Sequence, residues 1–128
     1  MSLFKKKEKE IVLNLERTNT IDGVAFSEDD LKLILLLADG MDWHDEQKHL
    51  LLLQEKLNNY IAYIESKQYL EKYPKAKEIE IQIKCLFKET DNGKSLLEYA
   101  IKTIETSLQN AKVLIEYGDQ ETFPGVKA

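Results

Sequence analysis

Residues 31–49 read LKLILLLADGMDWHDEQKH, and the change of pattern inside this stretch decides the fold. From Leu31 to Ala38 both alternating faces are apolar, which is typical of a central β-strand buried on two sides. Beyond Gly40 the apolar residues recur at helical spacing, which predicts a helix of about 23 residues from Trp43 to Ser66. The stretch therefore predicts a buried strand that leads directly into a long amphipathic helix.

The segment before this stretch predicts a hairpin. Thr20 to Phe26 alternates weakly in polarity, and the polar residues Ser27-Glu28-Asp29-Asp30 connect it to the apolar strand. A short polar connection between two such runs is typical of an antiparallel β-hairpin. We therefore expect two antiparallel strands ahead of the long helix.

The segment after the helix predicts a third strand. Pro74 has no backbone N–H to donate, so it ends any helical continuation. From Glu78 to Lys88 polar and apolar residues alternate, which is the period of a strand with one buried face. The positions predicted to face inward are Ile79, Ile81, Ile83, Cys85 and Phe87.

A helix and a strand complete the pattern. Asp91-Asn92-Gly93 predicts a turn, Ser95 to Leu108 a helix, and Lys112 to Tyr117 a last strand. Because only one face of the third strand is apolar, both helices should cover that face. The sequence thus predicts an α+β two-layer sandwich, a four-stranded mixed sheet in the order β-β-α-β-α-β with two helices on one face. The expected division of the chain is a charged N-terminal extension (1–17), a single domain (18–117) and a flexible tail (118–128).

The helix-free face of this predicted sheet carries too many aliphatic side chains to be left in water. They are Ile34, Leu36, Leu86 and Leu114. Two alternatives could cover this face: the apolar segment of residues 11–15, folded back onto it, or a second copy of the protein. The second alternative predicts a homodimer.

Composition and charge narrow the class of protein. The net charge is −5, and residues 28–66 carry nine acids against three lysines. This local excess argues against binding to nucleic acids or anionic membranes and favours a basic protein or a cation. Cys85 is the only cysteine, so no internal disulfide is possible, and we expect a reducing, cytoplasmic environment. No apolar run approaches the roughly 18 residues of a membrane span.

The junction between strand and helix contains the side chains most typical of a chemical site. Asp39, Asp42, His44, Glu46 and His49 are plausible metal ligands, and a carboxylate beside a histidine suits acid–base catalysis. The spacing disfavours both interpretations, because residues five apart on a helix, such as His44 and His49, do not lie side by side. No nucleophile motif or phosphate-binding loop accompanies them.

A structural role accounts for more of the same residues. Gly40 permits the turn, and Asp42 is predicted to be the N-cap, accepting hydrogen bonds from the first amides of the helix. Asp45 and Glu46 then lie where the helix dipole favours anions. Trp43 is expected to anchor the start of the helix to the sheet, and His49 to be a hydrogen-bonded packing residue.

Several short motifs resemble a family of small uncharacterised bacterial proteins. They are Ile21-Asp22, the D-x-x-D-W pattern from Asp39 to Trp43, His49, the L-Q-E-K-L-N-x-Y pattern from Leu53 to Tyr60, and Tyr73-Pro74-Lys75. The resemblance covers about residues 18–116. It implies the same single domain and a bacterial cytoplasmic protein, and it implies no activity.

The expected function is a non-enzymatic protein-binding module, either a homodimer or a small acidic partner or neutraliser of another protein. The alternative is a hydrolase or metal-dependent enzyme that uses the cluster from Asp39 to His49. We assign no catalytic, cofactor-binding or metal-ligating residue and no cofactor, and we expect neither nucleic acid nor membrane as a partner.

Overall fold

The computed structural model describes residues 15–126. Its elements in chain order are β1 (Gly23–Phe26), β2 (Lys32–Asp39), α1 (Glu46–Ser66), α2 (Tyr69–Lys72), β3 (Glu78–Cys85), α3 (Asp91–Ser107) and β4 (Ala111–Tyr117). The helix α2 is a single turn that ends before Pro74, as the missing N–H of proline requires.

The four strands form one sheet in the order β1-β2-β3-β4. The pair β1/β2 is antiparallel, and the pairs β2/β3 and β3/β4 are parallel, so the sheet is mixed. The predicted α+β fold is thereby confirmed. The strand β2 lies between β1 and β3, which agrees with its predicted central position.

The core lies between the sheet and the long helices. Its sheet side is formed by alternate residues of β2 and β3: Leu33, Leu35 and Leu37, and Ile79, Ile81, Ile83 and Cys85. Its helix side includes Leu53, Leu57, Tyr60 and Ile64 of α1 and Leu97 and Ile104 of α3. Phe87 was predicted to join this row, which is wrong: β3 ends at Cys85, and Phe87 is exposed.

The predicted turn at Asp91-Asn92-Gly93 is also wrong, because these residues form the first turn of α3. Thr90 is the N-cap, and its hydroxyl accepts a hydrogen bond from the Gly93 amide at 3.1 Å. A capping threonine satisfies an amide that the helix itself leaves without a partner. The helix therefore begins four residues before the predicted start.

The first described residues pack on the helix side of the sheet. Leu15 is fully buried in the main core, and the Asn59 side chain of α1 donates to the Thr18 carbonyl at 2.8 Å. Leu15 therefore does not cover the helix-free face. The prediction that the segment of residues 11–15 folds back over that face is wrong for Leu15. Residues 11–14, the remainder of that predicted cover, lie outside the described residues.

The helix-free face carries charged side chains among its aliphatic ones. Glu80 of β3 pairs with Lys32 at 3.3 Å, and Lys84 pairs with Glu116 of β4. The ring of Phe123 lies 5.2 Å from the Lys84 ammonium, so the segment after β4 returns over part of this face. Leu114 remains exposed there. The flexibility of residues 118–128 stays a prediction.

Membrane insertion finds no support in the helices of residues 15–126, none of which is both long and apolar enough to span a bilayer.

Candidate functional site

The residues before α1 divide into an exposed pair and a buried pair. Asp42 and His44 form the exposed one: the His44 Nδ1 lies 2.9 Å from the Asp42 carboxylate, and the imidazole is 88% exposed. The hydrogen bonds from the His44 side chain and backbone hold the pKa of Asp42 below its usual range. Both groups lie in water, where such a pair contributes little to stability.

Asp42 is not the N-cap of α1, so that prediction is wrong. The helix begins at Glu46, and Asp45 is the cap, with its carboxylate accepting from the Lys48 amide at 3.2 Å. Three residues of irregular chain, Trp43 to Asp45, precede the helix. Because of these residues the N-cap is Asp45 and not Asp42.

Asp39 and His49 form the buried pair. The His49 Nε2 lies 2.7 Å from the Asp39 carboxylate, and its Nδ1 lies 2.9 Å from the Asp42 backbone carbonyl. The imidazole is fully buried, and 4% of the Asp39 side chain is exposed. His49 thus joins α1 to the end of β2 and to the segment between them.

The partners of His49 determine how many protons the pair holds. A backbone carbonyl can only accept, so Nδ1 must carry a hydrogen. The contact with Asp39 then requires a second hydrogen, shared between Nε2 and the carboxylate. The pair is therefore an imidazolium with a carboxylate, or an imidazole with a carboxylic acid, and neither ring nitrogen is left to ligate a metal or act on a substrate.

Trp43 covers the other side of the imidazole. The two rings stack with their centroids 3.5 Å apart and an angle of 12° between their planes. The far edge of the indole reaches the first turn of α3, where a Cβ on Gly93 would lie only 2.5 Å from Trp43 Cη2. Trp43 thus packs between His49 of α1 and the first turn of α3. Its predicted anchoring to the sheet stays a prediction.

We expect Gly93→Ala to destabilise the protein by about 1–3 kcal/mol, the range for overpacking a filled site. The direction is informative, because alanine in an open helical position stabilises by about 1 kcal/mol relative to glycine. Urea unfolding followed by circular dichroism measures the change. Trp43→Leu should reduce the cost of Gly93→Ala, and the Glu89 Cβ, 3.0 Å from the added methyl group, accounts for what remains. A stabilising Gly93→Ala in the otherwise unaltered protein would contradict the packing.

Cys85 lies opposite Asp39 in the parallel pair β2/β3, so a thiol, a carboxylate and an imidazole are near one another. Burial, with smaller contributions from the charges of Asp39 and Glu89, raises the pKa of the Cys85 thiol to about 12. A thiol of this kind holds its proton and is a poor nucleophile. With both nitrogens of His49 engaged elsewhere, no base is available to activate it.

A second buried pair, between Lys56 and Asp22, joins α1 to the hairpin. The Lys56 ammonium lies 2.6 Å from the Asp22 carboxylate, and both side chains are almost completely buried. The same carboxylate accepts from the Ala38 amide at 2.7 Å. The Tyr60 hydroxyl accepts from the Asp22 amide and donates to the Leu36 carbonyl, and burial raises the pKa of this phenol.

The roles of Lys56 and Asp22 were not predicted from the sequence. A signal was present, because Lys56 lies three residues after Leu53 and four before Tyr60, inside the apolar stripe of α1. A lysine at such a position has either to reach solvent or to find a buried partner. The stripe alone does not identify that partner, which comes from another element.

The buried groups of the two pairs link separate elements, and their burial leaves a ligand no access; they are Asp39, His49, Asp22 and Lys56. Within residues 15–126 no group of three or more histidine, cysteine, aspartate or glutamate side chains could hold a metal ion. The geometry gives no support to the hydrolase or metal-dependent enzyme, because its central residues bond to each other and to the backbone.

The strand β1 lies at one edge of the sheet, and its outer side is exposed. The Ser27 amide donates to the Lys32 carbonyl, so residues 27, 25 and 23 face β2 in the antiparallel ladder. The N–H and C=O groups of Val24 and Phe26 consequently point away from the sheet. The side chains of the same two residues are 41% and 53% exposed.

One outward amide on the opposite edge of the sheet, in β4, is already bonded. The Val113 amide of β4 donates to the Glu105 carboxylate of α3 at 3.1 Å, so a strand approaching β4 meets a group already bonded. Natural sheets commonly block their edges in this way, since an open edge pairs with other chains.

A cleft of about 300 Å³ lies beside Phe26. Its apolar lining is Phe26, Leu33, Tyr73, Pro74 and Ala76, and its charged lining is Asp30, Lys72 and Lys75. The rings of Phe26 and Tyr73 are 5.6 Å apart and tilted by 46°, so they form one aromatic wall. A concave apolar site with a few charged groups at its border is suited to ligand binding.

A family model described as "Family of unknown function (DUF6572)" matches residues 13–117, which include β1, both ion pairs and the cleft. No curated protein and no solved structure matches the chain significantly.

Proposed function

The chain belongs to this family of unknown function, and we propose that it is a non-enzymatic protein-binding module of the bacterial cytoplasm. The observation that carries the proposal is the edge of β1. Within residues 15–126 no second strand pairs with the outward backbone groups of Val24 and Phe26, and the side chains of the same two residues are exposed. Sheet edges of this kind bind other chains by adding a strand. The unreactive, buried Cys85 suits a reducing compartment.

Two further forms of the proposal have less support. A homodimer through the helix-free face would bring the ion pairs of Lys32 and Lys84 into the interface, where removing charges from water is unfavourable. A neutraliser would need a concentrated acidic surface. Residues 28–30 lie before β2 and residues 42–46 after it, so the acids occupy opposite ends of an eight-residue strand, about 26 Å apart at 3.3 Å per residue.

Photo-crosslinking in the bacterial cell tests the binding function. A benzophenone amino acid placed at Val24 should form a discrete adduct with one protein, identified by mass spectrometry, and the additional change Phe26→Asp should abolish it. The same photo-reactive residue at Leu51, which is 65% exposed on α1, is the matched control and should give no such adduct. Equal patterns at both positions would contradict a binding role for the β1 edge.

A further inference from the structure

We propose that the β1 edge binds an extended peptide segment of another protein, which carries an apolar side chain for the cleft and acidic residues beside it. This inference rests on the proposed binding function and adds the chemistry of the partner. Backbone pairing, the apolar anchor and the charge at the border of the cleft each contribute an independent argument.

Backbone pairing determines that the segment is extended. Val24 and Phe26 each offer one outward N–H donor and one outward C=O acceptor, spaced as an added strand requires. Within residues 15–126 β1 has β2 as its only strand neighbour. Its outer groups can therefore pair with an incoming strand without any rearrangement of the sheet.

The cleft determines the apolar anchor. Cross-strand neighbours point to the same face of a sheet, so a residue added next to Phe26 would direct its side chain toward the face that contains Leu33. Leu33 is fully buried, and the walls of Tyr73 and Pro74 are apolar. A leucine-sized side chain would gain burial there without leaving a polar group unsatisfied.

The charges at the border select acidic neighbours. In the lining of the cleft Lys72 and Lys75 outnumber Asp30, and all three are exposed. Glu28 and Asp29 precede Asp30 but do not line the cleft, so the cleft differs in charge from the acidic segment 28–66 as a whole. An acidic residue two positions from the anchor lies on the same face of the added strand and therefore on the side of the lysines. The attraction is of the screened, surface kind, so added salt should weaken it.

The size of the edge argues for a peptide rather than a second copy of the protein. A stable dimer usually buries about 800 Å² on each partner, which corresponds to 20–30 residues. The strand β1 has four residues, and its continuous sheet edge ends there. A peptide can contact both this edge and the cleft, whereas a rigid second copy would contact the edge alone.

Fluorescence anisotropy with a labelled synthetic peptide tests the inference. The probe is a threonine-rich peptide with a central leucine and a glutamate two residues away on each side. We expect binding that is about tenfold weaker when lysines replace the glutamates and that is lost when the leucine becomes threonine or the backbone is N-methylated. The double variant Lys72→Glu, Lys75→Glu should reverse the preference for glutamate over lysine.

Two comparisons make the result decisive. Phe26→Asp should abolish binding and Leu51→Asp should leave it unchanged, and circular dichroism verifies the fold of each variant. In the unaltered protein the amides of Val24 and Phe26 should become protected from hydrogen exchange when the peptide is bound. Absence of binding or of this protection overturns the inference, and equal binding of the lysine peptide overturns the acidic preference.

The outcomes also separate this inference from the proposed function. If no peptide binds while the crosslink at position 24 persists, the protein binds a folded partner and the inference is wrong. If sedimentation equilibrium shows a dimer that Phe26→Asp dissociates, the occupant is a second copy and the inference is again wrong. If both the crosslink and peptide binding are absent, the binding function itself is rejected.

Discussion

Replacing Lys56 by methionine is expected to lower the free energy of unfolding by about 3–5 kcal/mol, the usual effect of removing one partner from a buried ion pair. Methionine approximates the volume of the lysine stem, so little of the loss would come from a cavity. The loss comes from the Asp22 carboxylate, which is almost completely buried and would no longer face an ammonium. Urea unfolding at neutral pH, followed by tryptophan fluorescence and circular dichroism, measures it.

The matched control is Lys48→Met on the same helix. Lys48 pairs with Glu16 at 3.1 Å, but both side chains are more than half exposed, and such pairs contribute about 0–1 kcal/mol. The double variant Asp22→Asn, Lys56→Met should recover part of the loss because it leaves no buried charge behind. A loss for Lys56→Met no larger than that for Lys48→Met would show that Lys56 reaches solvent.

Replacing His49 by leucine is expected to have an effect of similar size, about 3–5 kcal/mol. The Asp39 carboxylate would keep the hydrogen bond from the Met41 amide at 3.2 Å and lose its partner in the core. The stack on Trp43 would be lost as well, so the indole fluorescence of the folded state should change along with the midpoint of urea unfolding.

Asp39→Asn distinguishes the protonation account from a simple loss of polarity. A neutral His49 that donates from Nδ1 to the Asp42 carbonyl can accept a hydrogen bond at Nε2 from the new amide. We therefore expect a loss below about 1.5 kcal/mol, the net value of a typical hydrogen bond. His44→Leu, on the exposed imidazole, is the control and should be nearly neutral. If Asp39→Asn is as damaging as His49→Leu, the charge of the carboxylate is essential and the neutral arrangement does not form.

The order of elements could be predicted from the sequence because it depends on local periodicity. Alternation with a period of two places Ile79, Ile81 and Ile83 on one face of a strand, whatever covers that face. The stripe of α1 and the two-sided apolar run of β2 are likewise properties of neighbouring residues. The fold class follows from these patterns, since each apolar face must find another.

The ends of elements were less predictable, because caps compete. Asp42 and Asp45 are both suitable as an N-cap, and a turn at Asp91-Asn92-Gly93 has the same composition as a first helical turn preceded by Thr90. The choice depends on how much chain the connection needs to carry Trp43 from the end of β2 to its site between the helices. That length is a property of the packed domain.

The sequence by itself determined the strands, the helices and their apolar faces, because these follow from spacing along the chain. Only the tertiary structure decided that Lys56 pairs with Asp22, that both nitrogens of His49 are engaged, and that the Val113 amide of β4 bonds to Glu105 of α3. Each of these facts joins residues from separate elements. Hydrogen bonds and ion pairs act over about 3 Å in space, and the sequence does not specify which distant residues come that close.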